Sequence, residues 1–216
     1  ATKADRDIVE NEMPWEERDV PRTMYGFINL VAKRHGHRPG VSFQLTSGPK
    51  DKAETLSWKD FRDKSVQAAN MFRRLGIGET DVVAYLLPIC NEAALTLIGG
   101  SIAGIANPIN PLLEPDQIAA ILRETNAKVL VTLRGFPKTD LAQLAADAVA
   151  QAPNVETVLE VDLNRYLTPP KSWIVSLVRP KVVATHSAKI MDFYAELDRQ
   201  TRVIDFADTA EDRVAA

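Results

Sequence analysis

The feature that most restricts the fold of this chain is a regular alternation of apolar runs with helical patterns between residues 82 and 161. Strand-like runs occur at 82–87, 105–106, 128–132 and 157–161, with helical patterns between them at 93–103, 115–122 and 141–148. The runs 82–87 and 128–132 lack polar–apolar alternation, which is typical of strands inside a parallel sheet. Short connections between such elements require right-handed crossovers. The sequence therefore predicts an α/β fold, a doubly wound and mainly parallel sheet flanked by helices.

A small two-stranded element is predicted ahead of this sheet. Residues 41–45 alternate like a half-buried strand, 46–52 form a polar turn, and 54–58 return as a second strand. Apolar residues at helical spacing over 27–31 indicate a helix before them. Residues 1–22 are polar, and we expect an irregular N-terminal lead there.

Two further helices have recognisable ends. Ser57 and Asp60 have the spacing of a helix cap, and Gly76 is a natural left-handed stop for the same helix. Asn91 is predicted to cap the apolar helix that follows, with Glu92 in its first turn. The helix that starts after Ser57 is predicted to lie on the surface, with a solvated side made of Lys59, Lys64, Gln67, Asn70 and Arg74.

Composition is that of an ordinary globular protein. Of 216 residues, 45% are hydrophobic and 25% are charged, and the net charge of −3 gives no overall field to recruit nucleic acid or anionic lipid. The single Cys90 has no partner for an intrachain disulfide and lies in an apolar stretch. We expect a buried thiol in a cytoplasmic protein. No apolar run approaches the roughly 20 residues of a membrane span, and the polar start does not resemble a signal peptide.

Three motifs that could bind phosphate or metal are better explained by structure. Thr46-Ser-Gly-Pro-Lys50 joins two strands, whereas a phosphate loop enters a helix, so we interpret it as a hairpin turn. Gly99 and Gly104 lack the Lys-Ser/Thr that completes a P-loop. His35 and His37 have no third ligand at suitable spacing and have basic neighbours, which indicates a solvated basic loop.

Several stretches follow one another in a fixed order. They are the Ser-Trp helix start at Ser57, Leu75-Gly-Ile-Gly-Glu-Thr-Asp-Val-Val-Ala-Tyr-Leu-Leu-Pro88, Asn91-Glu-Ala-Ala94, Ala103-Gly-Ile-Ala-Asn-Pro-Ile-Asn-Pro111 and Lys128-Val-Leu-Val-Thr132. This order resembles the opening of the AMP-forming acyl-CoA synthetases, in the adenylate-forming ligase superfamily. The resemblance covers 23–161 and resumes at 205–216, where the family continues directly into its ATP phosphate loop.

The resemblance implies an enzyme that activates a carboxylic acid with ATP and Mg²⁺ to an acyl adenylate, and then transfers the acyl group to coenzyme A. In the family, this work is done by the phosphate loop, the adenine and ribose motifs and a lysine on a mobile C-terminal domain. None of these matches a position here. We therefore assign no catalytic, substrate-binding, cofactor-binding or metal residue. We expect an N-terminal fragment, inactive alone and without bound cofactor.

Two basic residues lie near a point where some members of that family approach the 3′-phosphate of coenzyme A. Arg134 and Lys138 follow the strand 128–132, where a doubly wound sheet opens its carboxyl-end crevice. The local motif is not matched residue by residue. A solvated basic loop is the alternative interpretation.

The chain is expected to divide into four parts. These are the lead at 1–22, an α/β subdomain of an AMP-binding domain at 23–161, an insertion-like segment at 162–204, and a lead-in strand to the phosphate loop at 205–216. Within the third part, Trp173, Ile174, Leu177 and Val178 form a narrow apolar stripe between basic residues. This stripe could pack on the core of the domain, or it could contact the rest of the enzyme, a sister subunit or a membrane surface.

Two functional hypotheses follow. The leading one is the front part of an acyl-CoA synthetase, whose partners are the rest of the same polypeptide, a small carboxylic acid and coenzyme A, with no nucleic acid. It allows a homo-oligomer or a peripheral membrane contact through 162–204. The alternative is a free-standing flavodoxin-like module that binds a ligand or, through 162–204, a protein.

Overall fold

The computed structural model describes residues 2–14, 17–48, 51 and 53–208. The N-terminal elements are α1 (Lys3–Glu10), α2 (Met24–His35), β1 (Pro39–Phe43), β2 (Glu54–Ser57) and α3 (Trp58–Arg74). The main sheet contains β3 (Val82–Leu86), β4 (Ile105–Pro108), β5 (Val129–Leu133), β6 (Thr157–Val161) and β7 (Lys189–Asp192). The accompanying helices are α4 (Asn91–Ala103), α5 (Pro115–Glu124), α6 (Leu141–Ala150), α7 (Lys171–Val178) and α8 (Phe193–Leu197). No helix within the described ranges has the length and apolar content to cross a bilayer.

The strands from β3 to β7 form one parallel sheet in the order β4–β3–β5–β6–β7. β3 lies between β4 and β5, and β5 lies between β3 and β6. Both are almost fully buried, and Val83 and Val129 have no exposed surface. The predicted doubly wound α/β fold is confirmed, and so is the interior position of these two strands.

The sheet extends beyond the point where the sequence pattern indicated its end. β7 pairs in parallel with β6, with Thr157 opposite Lys189 and Val158 opposite Ile190. The sequence pattern indicated no strand between residues 162 and 204. Because β7 is a short edge strand with most of its residues exposed, it carries no continuous apolar run that would reveal it.

The predicted two-stranded element is present. β1 and β2 pair antiparallel, with Val41 opposite Leu56 and Phe43 opposite Glu54. The ring of Phe43 meets the ring of Tyr166 edge to face, with centroids 4.8 Å apart. This small sheet therefore contacts the segment that follows β6.

The prediction of a solvated side on α3 is wrong for two residues. Gln67 and Asn70 are buried, although their spacing places them opposite the apolar stripe. Their side-chain amides donate hydrogen bonds to main-chain carbonyls at the end of the described chain, from Gln67 to Gln200 at 2.9 Å and from Asn70 to Val203 at 2.8 Å. α3 therefore lies between α4 on one side and residues 197–205 on the other. Buried amides are stable there because their donors are satisfied.

The predicted helix ends are correct in two cases and wrong in one. Ser57 Oγ accepts from the Asp60 N–H at 3.1 Å, and Gly76 has a φ of +85°, the left-handed conformation that a glycine tolerates. Asn91, in contrast, does not cap α4. Cys90 occupies the cap position without a side-chain bond, and Asn91 donates instead to the Glu54 carbonyl at 3.3 Å.

Three expectations about the outer segments are also revised. α1 lies within the lead that we expected to be irregular, and a capping box between Thr2 and Asp5 starts it. The apolar stripe of α7 is exposed, which contradicts packing on the core. Residues 205–208 form no strand, and the rest of the predicted lead-in strand lies outside the described residues.

Candidate functional site

The order of the strands creates a crevice at the carboxyl edge of the sheet. From β3, the chain crosses to β4 on one side and then continues to β5 on the other side of β3. The loops after β3 and β5 therefore leave the sheet in opposite directions. In doubly wound folds, ligands bind at this switch point, outside the carboxyl ends of the strands.

A cleft occupies this position. It has a cavity volume of about 540 Å³, and we call it the switch-point cleft. The segments after four neighbouring strands and part of the β1–β2 element line it, through Phe43, Leu45, Pro88, Ile89, Pro111, Leu112, Leu133, Phe136, Pro137, Thr139, Asp140, Leu141 and Leu163. Its volume lies in the usual range for small-molecule sites.

The lining of the switch-point cleft is mostly aliphatic or aromatic. Thr139 and Asp140 are its polar side chains. Ile89 and Leu112 are 94% and 88% exposed, so two large apolar side chains stand at the cleft in contact with water. An apolar ligand would remove both from water, which favours binding by about 25 cal/mol for each Å² buried.

A second cleft adjoins the first and shares Leu45, Phe136 and Pro137 with it. This α7 cleft has a volume of about 440 Å³ and lies between α7 and the loop after β5. Ile174 and Val175 contribute its apolar wall on the helix side. Lys138 and Lys171 add two cationic side chains, and Lys171 pairs with Asp51 at 2.8 Å.

Arg134 and Lys138 lie on the same loop but in different surroundings. The Arg134 Nε is 3.9 Å from Glu160 Oε2, and burial raises the pKa of that carboxyl while Arg134 opposes the rise. Lys138 is exposed beside the α7 cleft, with a φ of 67°. Within the described part of the chain, no carboxylate lies at ion-pair distance from Lys138. Of the two, Lys138 is the cation available to a ligand.

The other motifs lie away from these clefts or offer no ligand set. His35 and His37 are exposed in the basic stretch at the end of α2, as expected for a solvated loop. Thr46, Ser47 and Gly48 lie in the connection between β1 and β2 and not at the start of a helix. No group of three or more His, Cys, Asp or Glu side chains suited to a metal occurs among the residues that the structure describes.

Sequence reasoning missed a buried polar cluster beside the clefts. The Glu92 carboxylate is fully buried in the first turn of α4 and accepts hydrogen bonds from Tyr166 at 2.8 Å and from Tyr194 at 2.9 Å. Arg165 lies 3.2 Å from it and also pairs with Glu54 at 3.0 Å. A charged residue opening an otherwise apolar helix was the signal available in the sequence.

The cluster positions the site and does not itself present a reactive group. Burial, together with the Glu92 charge, raises the pKa of both Tyr166 and Tyr194, so both remain neutral donors. Burial and the same charge raise the pKa of Cys90 to about 12, which leaves an unreactive thiol. Glu92 therefore ties the segment after β6, which lines the clefts through Leu163 and Leu167, to the start of α4.

A family model and several relatives assign this chain to the same family. The family model described as AMP-binding enzyme matches residues 29–195. A marinolic acid–CoA ligase from Pseudoalteromonas sp. is 33% identical over 120 residues, which cover 56% of this chain and 18% of that protein. An acetyl-coenzyme A synthetase from Gemmatimonas aurantiaca is 27% identical over 169 residues, which cover 70% of this chain and 26% of that protein. 4-Coumarate–CoA ligase 1 from Arabidopsis thaliana is 36% identical over 89 residues, which cover 41% of this chain and 16% of that protein.

A solved structure shares the fold. The anthranilate CoA ligase AuaEII, crystallised in complex with anthranoyl-AMP, superposes with a TM-score of 0.64 at 16% identity. The match covers 91% of this chain and 31% of the other. The chain thus spans less than a third of the length of each of these proteins.

Proposed function

Since this chain belongs to the AMP-binding enzyme family, we propose that it forms part of an AMP-forming CoA ligase. In that reaction, a carboxylate oxygen attacks the α-phosphorus of ATP and pyrophosphate leaves. The thiol of coenzyme A then attacks the acyl carbon, and AMP leaves. Several relatives with the names of CoA ligases and acetyl-CoA synthetases support this proposal.

The part that we assign to this chain is to hold the apolar portion of the carboxylic acid. The switch-point cleft carries the assignment, because its walls are apolar and it lies where a doubly wound sheet binds ligands. Ile89 and Leu112 would cover the acyl group from the two sides of the crevice. The cleft would supply binding energy and orientation, and the groups that carry out proton or phosphoryl chemistry would lie elsewhere.

The lining of the switch-point cleft does not suit the triphosphate of ATP. Asp140 would repel phosphate there, and the lining includes no cationic side chain. The Thr-Ser-Gly stretch at 46–48 joins two strands, where it has no helix N-terminus to offer. We therefore propose that ATP and Mg²⁺ are held by further parts of a longer polypeptide, and that these 216 residues alone do not adenylate.

Coenzyme A would approach from the α7 cleft. Among the cations near this cleft, Lys171 pairs with Asp51 and Arg134 lies beside Glu160, whereas Lys138 has no carboxylate partner within the described residues. We assign Lys138, and not Arg134, to the 3′-phosphate of coenzyme A. The assignment is supported by its exposure and by the apolar walls beside it, which suit the pantetheine arm.

The remaining assignments concern environment and partners. An unreactive, buried Cys90 thiol is consistent with the reducing cytoplasm in which we place the protein. The remainder of the same polypeptide is the first partner that we propose. A second copy of the chain would be an additional one.

An activity assay tests the proposed reaction. The complete product of the gene that encodes this chain, incubated with ATP, Mg²⁺, octanoate and coenzyme A, is expected to form AMP and pyrophosphate together. The 216-residue chain alone is expected to form neither. Formation of ADP by the complete product, or pyrophosphate release by the short chain at a full enzymatic rate, would contradict the proposal.

A binding assay tests the role of the cleft separately. Leu112→Glu places a charge in the apolar cleft at an exposed position, so the fold should tolerate it. We expect octanoate binding to weaken about tenfold, the loss that 1.4 kcal/mol produces. Val203→Glu is the matched control, because Val203 is also exposed and does not line the cleft. Equal effects of both substitutions would remove the acyl group from this cleft.

A further inference from the structure

α7 presents a large apolar surface to solvent. The exposed fractions are 70% for Trp173, 56% for Ile174, 87% for Leu177 and 56% for Val178. Their spacing places them along one stripe of the helix, which we call the α7 face. Val183, in the loop that follows, is a further exposed apolar side chain. Contiguous exposed patches of this kind mark interaction surfaces.

The charge around the α7 face has a single sign. Residues 163–191 contain five lysines or arginines and no aspartate or glutamate, in a chain whose net charge is −3. Arg165, Lys171 and Arg179 pair with carboxylates from outside this segment. Lys181 and Lys189 are exposed and lie within ion-pair distance of no carboxylate in the described ranges. Lys181, three residues beyond the end of α7, is therefore an uncompensated cation next to the stripe, whereas Lys189 pairs with Thr157 at the opposite edge of the sheet.

We propose that the α7 face docks on the surface of an anionic lipid bilayer. A short helix with an interfacial tryptophan, aliphatic neighbours and basic flanks matches the chemistry of the lipid headgroup boundary. A negatively charged leaflet attracts Lys181 beside the C-terminal end of α7, and the apolar stripe inserts below the headgroups. Because two helical turns bury little apolar area, this attachment is reversible and depends on both contributions.

Docking in this orientation has a consequence for the neighbouring cleft. Ile174 belongs to the α7 face and also lines the α7 cleft, so the cleft would open beside the membrane. An amphipathic carboxylic acid that partitions into lipid could then reach the protein without crossing water. This consequence rests on the proposed function, whereas the docking itself does not.

Vesicle flotation tests the docking. The 216-residue chain is mixed with phosphatidylcholine vesicles, with or without a third of phosphatidylglycerol. We expect binding to the anionic vesicles to exceed binding to the neutral ones by about tenfold at low salt and to fall as salt increases. The double variant Trp173→Ser/Leu177→Ser should lose most of its binding to the anionic vesicles. Ile8→Ser/Val9→Ser, which removes two exposed apolar side chains from α1, should retain it.

The charge contribution has its own variant and control. Lys181→Glu should reduce binding to the anionic vesicles and leave the weak neutral binding unchanged. Lys33→Glu, with equal charge change in the last turn of α2, should have little effect. All the replaced side chains are exposed, so thermal melting should show unchanged folding.

Three results would overturn the proposal. One is the absence of flotation with anionic vesicles, and another is flotation that the α7 double variant does not reduce. The third is self-association, seen by sedimentation in the absence of lipid, that the same double variant abolishes while vesicle binding is missing. That result would assign the α7 face to a second copy of the chain.

Discussion

The strands β3 to β6 and the segment from 163 to 205 share one core, yet the later segment depends on an additional kind of interaction. Val83, Leu130 and Leu159 are fully buried among apolar neighbours. The later segment also buries Phe193 and Leu197. In addition, it makes buried polar contacts, with Tyr166 donating to Glu92 and Asn70 donating to carbonyls beyond Leu197. Apolar burial tolerates small shifts of partners, whereas a buried hydrogen bond requires its exact partner.

The difference teaches where a single sequence carries information. Apolar runs have a period that can be recognised along the chain. The sequence does not distinguish a buried glutamate or glutamine from an exposed one, because only the folded chain brings its hydrogen-bonding partner next to it. The predictions below therefore test whether the two regions respond as differently as their contacts indicate.

The largest effect is expected for Val83→Asp in β3. An unpaired charge buried there costs several kcal/mol against a total stability of about 5–15, so the domain should unfold. Ile190→Asp in edge strand β7 is the control, because its side chain is half exposed and the charge can reach water. Circular dichroism melting should show a cooperative transition only for the control. A soluble Val83→Asp variant with an unchanged midpoint would place β3 at the surface.

Glu92→Leu should have the next largest effect, about 3–5 kcal/mol of unfolding free energy. The substitution leaves the hydroxyls of Tyr166 and Tyr194 without their acceptor and Arg165 with Glu54 alone. Urea unfolding measures the loss, and amide exchange should accelerate across 163–197 before the sheet opens. Glu54→Gln, at a partly exposed partner of Arg165, should cost no more than about 1 kcal/mol. Equal costs would show that the buried position of Glu92 is unimportant.

Asn70→Ala should destabilise the chain by about 1–3 kcal/mol, because carbonyls of Thr201 and Val203 lose their buried donor. The effect should be local, with faster amide exchange near 201–205. Arg74→Ala, one turn later at an exposed position of α3, serves as the control and should be nearly neutral. If both variants exchange at the wild-type rate, residues 201–205 do not depend on this amide.

The smallest expected effect is a change in how the stability of the fold depends on pH, through Asp81 just before β3. The Lys128 ammonium and the Gly78 N–H lower the pKa of Asp81 below its ordinary 3.8. The Asp81 carboxylate therefore stabilises the fold at pH values above its ordinary pKa. This contribution is lost as the pH falls through the lowered pKa. Lys128→Met should lower the stability at neutral pH only slightly and flatten this acid dependence. A steeper acid dependence in the variant would contradict the assignment.

Much of the fold follows from local patterns. The apolar runs of β3 and β5, the left-handed stop at Gly76 and Pro115 at the start of α5 all act through their own backbone or immediate neighbours. β7 escaped prediction because an edge strand of four residues has no apolar run. The amides of α3 escaped it because their partners lie about 130 residues away along the chain.

The candidate site was less accessible to sequence reasoning than the fold. Its lining comes from segments after four different strands, so no contiguous motif marks it. Arg134 and Lys138 were placed correctly at the carboxyl edge, because the end of a buried strand fixes the start of the next loop. Their different surroundings depend on Glu160 and α7, which no local pattern connects to them.

The most direct test of the account is to locate the bound acyl chain. The isotope-labelled chain is titrated with octanoate and followed by amide chemical shifts, with acetate as the probe that lacks the apolar tail. The account predicts saturable shifts with octanoate, confined to the loops 87–90, 111–113 and 133–141, and none of comparable size with acetate. Equal responses to the two acids, or octanoate shifts centred on the basic stretch 33–38, would contradict the assignment of the switch-point cleft as the acyl site.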